Sequence, residues 1–428
     1  MLKNFINFIN NKFLLLSYII VIICFIPLFY FSTKFIINVW AYSDALINYS
    51  QGFIRRGFLG EIILYIHKLT DIKLSIIHAY IFIIFSSINI TLYFLILKKI
   101  ANSRFIFFFL LFNPLLLFFP LNDTGGYLRK EIIILTLMLF HCYLCNNFHN
   151  SKINLRTYSI LLNTVVIPGI IINTLMHDIQ LFLIPFHLFL SLNVINSNFN
   201  LFDVKDYFNK RYLSLSLYIF TILPLIFFIY YPTELKKIEL IAKDIWLIDP
   251  DVSWWPMYHT TNTFIDAAIN NSQFMFSADD FGTYNHLINY LLLLIISLGS
   301  IYLIFNKILK NNIKIYNHYF IFLSVFPIFF LFFIGKDWGR WLNLITWTCL
   351  LFYLQFNIRI TKSYYSLFKN KIANIFSIIA CCYFLFFITV PHCCKGQTIF
   401  GGFSENINLV YNIIFNNSKH INNTFKGI

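Results

Sequence analysis

Long apolar stretches recur along the whole chain, and they limit its fold more than any other feature. The 428 residues are 59% hydrophobic and only 12% charged, whereas a soluble domain carries about 25% charged residues. A helix needs about 20 apolar residues to cross a bilayer, and only helices or closed barrels satisfy every backbone group in lipid. Because these stretches are unbroken rather than alternating, we expect an all-α, polytopic transmembrane helix bundle.

Runs without charged residues predict about eleven transmembrane spans. No internal repeat and no proline- or glycine-rich linker divides the chain, so we expect one integral membrane domain over residues 1–428. Residues 232–286 are the only long stretch outside the bilayer and are predicted to be a loop segment within that domain. The predicted spans lie near 13–32, 75–97, 105–120, 131–147, 158–176, 179–194, 213–231, 287–306, 318–335, 343–358 and 374–391.

Basic residues occur in short clusters beside the spans, and they produce a formal net charge of +14. This distribution is typical of topology signals and lipid headgroup contacts, so we expect membrane lipids as partners and no nucleic acid. The basic loops alternate correctly if the N-terminus is cytoplasmic. Almost every acidic residue then falls on the opposite face, which is also predicted to carry short amphipathic helices. The segments on that face are 33–74, 122–131, 176–178, 232–286, 335–341 and the C-terminal tail.

The stretch GFIRRGFLG places Arg55 and Arg56 between glycines, eleven and twelve residues after Asp44. Arginine stays charged in a low-dielectric site and presents a planar fork of donors that fits phosphate oxygens. We therefore predict that both arginines bind an anionic substrate. The alternative is that they pair only with Asp44, Glu61 and lipid headgroups.

The stretch NDTGGYLRKE precedes the fourth predicted span and contains Asp123, Arg129, Lys130 and Glu131. Glu131 suits a helix start, whereas Arg129 opposes the helix dipole there. Two interpretations stay open: a local ion-pair network that caps the helix, or a contact to a diphosphate or an acceptor sugar. The second interpretation makes Asp123 and Arg129 substrate-binding candidates.

The turn MHD, at 176–178, is so tight that His177 and Asp178 must lie at or just inside the membrane surface. An ionisable residue at that depth indicates a functional site by default. His177 is thus a candidate catalytic residue and Asp178 a candidate substrate-binding residue. A structural hydrogen bond is the alternative for the histidine.

The stretch GKDWGRW places Asp337 and Arg340 three residues apart, which is one face of a helix. Trp338 and Trp341 flank them, and aromatic faces are surfaces on which sugar rings stack. We predict Asp337 as a catalytic candidate and Trp338 and Arg340 as substrate-binding candidates. A salt bridge inside an interfacial aromatic belt is the alternative.

The four stretches together predict one cluster of arginines, aspartates and tryptophans on a single face of the membrane. Arginines without a metal-ligand set indicate an anionic, lipid-linked substrate, and aspartate with histidine offers a general base near neutral pH. The cysteines and histidines lack the spacing of a zinc site, so no cofactor is predicted, and a divalent cation is left open.

Asp44 in the first loop, followed by an amphipathic stretch, resembles the polyprenyl-dependent glycosyltransferases of the GT-C class. The fuller set, GFIRRGFLG with NDTGGYLRKE, MHD and DWGRW, resembles the membrane proteins known as bacterial O-antigen polymerases. Two features differ from the family pattern: residues 232–286 contain lysines but no arginine, and the first loop lacks a DxD pair.

The resemblance implies a multi-pass protein of the bacterial inner membrane with a periplasmic active site. Its expected activity is to transfer a glycan from undecaprenyl diphosphate to a second lipid-linked glycan, which extends a surface polysaccharide such as O-antigen. Asp44 is then the first candidate for the base, with Asp337 and His177 as rivals. A chain-length regulator is an implied partner. The alternatives are a transferase using a polyprenyl-monophosphate sugar donor and a flippase or transporter of lipid-linked glycans.

Overall fold

A computed structural model describes most of the chain and shows a helical protein. The described part contains no strand, which confirms the all-α part of the predicted fold class. The described residues are 2–34, 36, 38–98, 104–122, 128–195, 218, 221, 233–261, 266, 269, 283–299, 301–302, 315–335, 338–355 and 390.

Short segments of other helical types adjoin several of the described α-helices. Two π-helical segments, Leu162–Val166 and Ile295–Gly299, and two 3-10 segments, Asp178–Leu183 and His259–Thr261, extend neighbouring helices. The described α-helices are α1 (Leu2–Lys34), α2 (Val39–Ala45), α3 (Phe58–Thr70), α4 (Leu74–Leu97), α5 (Arg104–Leu111), α6 (Phe119–Asn122), α7 (Glu131–His149), α8 (Leu155–Leu161), α9 (Ile167–Met176), α10 (Ile184–Ile195), α11 (Leu235–Ile248), α12 (Trp255–Tyr258), α13 (Thr283–Leu294), α14 (Ile315–Phe329), α15 (Leu331–Ile334) and α16 (Trp338–Leu354).

Within the described ranges, four helical segments are long and apolar enough to cross a membrane: Leu14–Lys34, Leu74–Leu97, Glu131–His149 and Leu155–Met176. The predicted number of about eleven spans is therefore not confirmed. Four other predicted spans correspond to shorter helical segments in the described part of the chain. These segments are Asp178–Val194, Asn289–Gly299, His318–Ile334 and Trp338–Leu354. The predicted spans 213–231 and 374–391 lie almost wholly outside the described residues.

The predicted span 105–120 does not form a single helix. After α5 the chain turns at Asn113 and Pro114, where the Asn113 side chain accepts a hydrogen bond from the N–H of Leu115 at 2.9 Å. Proline disfavours a helical conformation in the residue before it, and a short amide side chain competes for backbone groups. The resulting turn contributes to the cleft described below.

The largest apolar core lies between α1, α4, α7, α10, α14 and α16. Its largest fully buried side chain is Trp347 of α16, whose ring meets Tyr93 of α4 edge-on at 4.9 Å between centroids. The Tyr93 hydroxyl donates to the carbonyl of Leu110 at 2.9 Å. These contacts fix α16 against α4 and α5, and so fix the end of α16 that carries Arg340.

A second apolar core caps one end of the bundle and consists mainly of α2, α3, α11 and the start of α4. The helix α11 is amphipathic, because Ile238, Ile241 and Ile245 are buried while Lys236 on the same helix is exposed. The amide of Ser253, which follows α11, donates to the Ser43 hydroxyl of α2 at 2.9 Å. Amphipathic helices were predicted, and in the described part of 232–286 they hold α2 in place. The single domain over 1–428 stays a prediction.

Candidate functional site

Nine polar side chains from separate parts of the chain meet beneath this second core. The helices α7 and α16 begin here and α9 ends here, so their termini bring together residues that are far apart in sequence. We call this group the ionic cluster. Its members are Asp44, Arg55, Arg56, Arg129, Lys130, Glu131, His177, Asp178 and Arg340.

The loop that carries the paired arginines is held by a close backbone contact. A Cβ atom on Gly60 would lie 2.0 Å from the carbonyl oxygen of Ile47, so only glycine lets α3 approach the end of α2 this closely. Arg56 adopts a left-handed backbone conformation with φ 69°. Such a conformation costs energy for a residue with a side chain and is often found at functional sites. The Lys130 ammonium stabilises it by donating to the Arg56 carbonyl at 3.3 Å.

Asp178 is the most buried carboxylate of the cluster, with 2% of its side chain exposed. One guanidinium nitrogen of Arg56 lies 2.9 Å from one Asp178 oxygen and 3.0 Å from the other. The Nε atom of Arg55 lies 3.5 Å from the same carboxylate. Asp178 therefore neutralises part of the charge of both arginines, and burial makes that pairing necessary.

Asp44 lies between two cations at the end of α2. Its carboxylate is 3.1 Å from the Lys130 ammonium and 3.5 Å from the Arg56 guanidinium. Burial by itself would raise the pKa of Asp44, but Lys130 and Arg56 outweigh burial and lower this pKa to about 2. A carboxylate with so low a pKa is a weak proton acceptor near neutral pH. The geometry thus favours Asp44 as an anchor for Lys130 and Arg56 over Asp44 as a base.

Glu131 is the first residue of α7 and pairs with Arg340, the third residue of α16. A negative charge at a helix N-terminus is favoured by the helix dipole, which explains the position of the carboxylate. The Arg340 guanidinium also lies over the ring of Trp341, 4.8 Å from its centroid. The pair therefore connects the ends of two long helices.

His177 lies in the extended residue that ends α9, between Asp178 and Glu131. Its Nδ1 is 2.9 Å from Asp178, and its Nε2 is 3.7 Å from Glu131. The N–H of Ile179 also points at Nδ1, at 3.3 Å, but the nearer Asp178 carboxylate favours the tautomer that carries the proton on Nδ1 and leaves Nε2 as the acceptor. Burial, and then the charge of Arg56, lower the pKa of His177. The ring is therefore neutral at neutral pH.

A cleft between α1, α4, α7 and α16 opens beside the ionic cluster. It contains about 560 Å³ of empty space, including its open mouth. Arg129, Glu131 and Arg340 contribute its charged lining. The rest of the lining is mainly apolar and includes Phe25, Leu117, Leu135 and Trp347. The lining therefore joins charged groups at the cluster to apolar side chains between the helices.

The charges of the cluster do not balance among the described residues. Five cations face three carboxylates there, and His177 is neutral, so two positive charges are in excess. The described part of the cluster is thus cationic overall, which suits an anionic group. The cations are Arg55, Arg56, Arg129, Lys130 and Arg340, and the carboxylates are Asp44, Glu131 and Asp178.

The structure brings together seven of the ten predicted site residues, from all four of the predicted stretches. Asp123 and Asp337 lie outside the described residues. Trp338 is described, but its ring packs on Phe332 and Tyr290, and it is not part of the cleft lining. The seven are Asp44, Arg55, Arg56, Arg129, His177, Asp178 and Arg340.

Sequence reasoning left Lys130 and Glu131 out of the predicted site. Both belong to the stretch that contains Arg129, and Glu131 reads naturally as a helix cap, which hides its contact with Arg340. The described residues contain no group of three or more metal-ligating side chains. Neither family models, nor curated proteins, nor solved structures match this chain. The functional argument therefore depends on the geometry of the cluster and the cleft.

Proposed function

We propose that this protein is a periplasmic-side glycosyltransferase that polymerises repeat units of a surface polysaccharide, O-antigen or a related glycan, carried on undecaprenyl diphosphate. The observation that supports this proposal most is the junction of a cationic cluster with an apolar cleft. A lipid-linked diphosphate has the same two parts, an anionic group and a long apolar chain. Its chemistry therefore complements the site.

Arg129 and Arg340 are the cations that line the cleft itself. Each guanidinium can donate two parallel hydrogen bonds to phosphate oxygens, and it stays charged when buried. Arg55, Arg56 and Lys130 lie behind them and add positive potential. Fixed cations of this kind stabilise the negative charge that develops on a departing diphosphate.

In the proposed reaction, the acceptor hydroxyl loses its proton as its oxygen forms a bond to the anomeric carbon of the donor. The bond from that carbon to the diphosphate oxygen breaks, and its electron pair leaves with the diphosphate. His177 is the best-placed base among the described candidates, because its ring is neutral and Asp178 orients it. Glu131 lines the cleft and lies 3.7 Å from Nε2 of His177, so this base stands at the edge of the cleft in which the acceptor would bind.

A binding experiment on the purified protein in lipid nanodiscs tests the substrate class. The probes are undecaprenyl diphosphate, undecaprenyl phosphate and undecaprenol, which differ only in the number of phosphates. We expect affinity to fall in that order. Arg340→Gln should weaken diphosphate binding by about 10- to 100-fold, since a hydrogen bond to a charged group contributes about 1.5–3 kcal/mol.

Arg156→Gln is the matched control, because Arg156 is exposed near the start of α8, and the helical stretch from α8 to the end of α9 separates it from His177. It should bind like the unmodified protein. In the source cell, Arg340→Gln should reduce the polysaccharide to single repeats when cells with equal amounts of membrane-inserted protein are compared by gel analysis. Equal affinity for undecaprenol, or a normal polysaccharide ladder with Arg340→Gln, would overturn the proposal. A preference for the monophosphate would favour the transferase with a monophosphate donor.

A further inference from the structure

Two histidines face each other inside the helix bundle, away from the ionic cluster. His141 of α7 and His187 of α10 are both fully buried, and their Nδ1 atoms are 2.9 Å apart. Their rings are nearly parallel, with 7° between the planes. His141 lies ten residues beyond Glu131, or about 15 Å along the helix axis. We call these two residues the histidine pair.

The contact between two Nδ1 atoms requires a shared proton. A neutral imidazole carries a proton on only one nitrogen, so one ring must donate through Nδ1 and the other must accept. Either ring can take either role, because the two partners are chemically identical. The bond can therefore reverse its direction when a proton arrives at one ring and leaves from the other.

The outer nitrogens of the pair differ in their surroundings. Nε2 of His141 lies 3.1 Å from the Tyr158 hydroxyl and 3.3 Å from the Ser191 hydroxyl. The Ser191 hydroxyl in turn lies 2.9 Å from that of Tyr218. Nε2 of His187 is buried and has no hydrogen-bond partner among the described residues. A proton can therefore enter the pair through the hydroxyl groups at Nε2 of His141, and Nε2 of His187 can hold a proton.

Side chains that can exchange a proton continue along α7 from the pair to the end of the helix. Cys145 follows His141 by four residues and His149 follows by eight, so the three lie on one face of the helix. The Cys145 thiol is 3.8 Å from the Tyr158 hydroxyl, and His149 is half-buried at the last position of α7. This row covers about 12 Å from the pair to the helix end.

The helix that contributes Tyr158 is irregular next to the pair. Four residues after Tyr158, the helix changes from α to π winding over Leu162–Val166. Single π segments inside α-helices occur frequently at functional sites. Among the described residues, no carboxylate, lysine or arginine lies close enough to act on either histidine. The titratable groups that face the pair are Tyr158 from α8, Cys145 from α7 and Tyr218.

We infer that the histidine pair is a proton-binding site inside the membrane domain, filled from the C-terminal end of α7. Ionisable side chains at this depth are costly, and chains of them mark proton relays. The bound proton joins a pair that already shares one, so its charge is spread over two rings and their hydroxyl partners. This inference is independent of the proposed transferase activity.

Nitrogen NMR of ¹⁵N-histidine-labelled protein in lipid bilayers tests the inference directly. As the pH falls, we expect both rings of the pair to change from the neutral to the protonated pattern together, as one coupled site. With His187→Gln, His141 should lose the nitrogen–nitrogen hydrogen bond and titrate alone, with a midpoint moved by about one pH unit or more. Tyr158→Phe should keep the pair and slow its proton exchange, because it removes the nearer of the two hydroxyls at Nε2 of His141.

His78→Gln is the matched control, since His78 is equally buried but packs on Phe82 instead of a second histidine. It should leave the signals of the pair unchanged. Size-exclusion elution and circular dichroism identify the pH range in which each variant stays folded. If both rings remain neutral throughout that range in the unmodified protein, the pair is only a structural hydrogen bond and the inference is wrong. Independent titration of the two rings would also overturn it.

Discussion

The ionic cluster and the histidine pair are both buried, but they are held in opposite ways. The ionic cluster consists of charged side chains from loops and helix ends, each stabilised by an opposite charge. The histidine pair consists of groups on helices α7 and α10, each stabilised by hydrogen bonds. The same helices connect the two, because Glu131 begins α7 and Asp178 lies before α10.

This difference predicts in which of the two regions a substitution destabilises the protein more. Removal of one charge from a buried ion pair leaves its partner uncompensated, which is far more costly than the loss of one neutral hydrogen bond. The ionic cluster should therefore be sensitive to changes that preserve shape but remove charge. The histidine pair should tolerate such changes better. Three experiments test this comparison.

The largest expected effect is that of Asp178→Asn. This change keeps the shape of the side chain but leaves Arg55 and Arg56 without their shared carboxylate. We expect the free energy of unfolding to fall by about 3–5 kcal/mol, measured by denaturant unfolding in detergent. Glu234→Gln is the control: it breaks the exposed pair with Lys237 and should cost less than about 1 kcal/mol. Equal losses in the two variants would contradict the comparison.

A smaller effect on stability is expected when Asp44 loses its charge, either by substitution or by protonation in acid. The pKa of this carboxylate falls from 3.8 to about 2 in the folded protein. A lowered pKa contributes stability that is present above the ordinary value and is lost as the pH falls through the folded value. Asp44→Asn should thus be less stable than the unmodified protein by about 2 kcal/mol near neutral pH, and the difference should shrink below about pH 4.

Thermal unfolding as a function of pH measures this difference. Glu239→Gln removes an exposed carboxylate of α11 and should follow the unmodified protein at every pH. A gap between Asp44→Asn and the unmodified protein that stays constant under acid would refute the ion pairing of Asp44 with Lys130 and Arg56.

The smallest effect is expected from Tyr158→Phe, which removes one neutral hydroxyl beside the histidine pair. That hydroxyl contacts His141 and Ser191. A hydrogen bond between membrane helices contributes about 1 kcal/mol, so the midpoint of thermal unfolding should drop only slightly. Tyr65→Phe, at an exposed position of α3, serves as the control and should change nothing. A loss as large as that of Asp178→Asn would remove the distinction between the two regions.

Part of the site could be predicted from the sequence, because charge is rare in this chain. Arg55, His177 and Arg340 stood out against apolar surroundings, and their segments were expected on one face. The roles were harder to predict. The sequence indicated Asp44 as a base, but in the structure its contacts with Lys130 and Arg56 lower its pKa. A contact between residues 209 positions apart, such as that of Glu131 with Arg340, leaves no local pattern.

The histidine pair shows the same limit more strongly. His141 and His187 lie in apolar spans, where each alone reads as an ordinary buried residue. Their meeting depends on how α7 packs against α10, which no local pattern reports.

The sequence by itself determined that the protein is helical, that several helices are apolar enough to cross a membrane, and which segments carry charge. These properties follow from composition and spacing, which act locally along the chain. Only the tertiary structure decided which charges pair, which face the cleft, and which histidines share a proton. Those outcomes depend on helix packing, where side chains far apart in sequence come within 4 Å and burial makes each pairing matter.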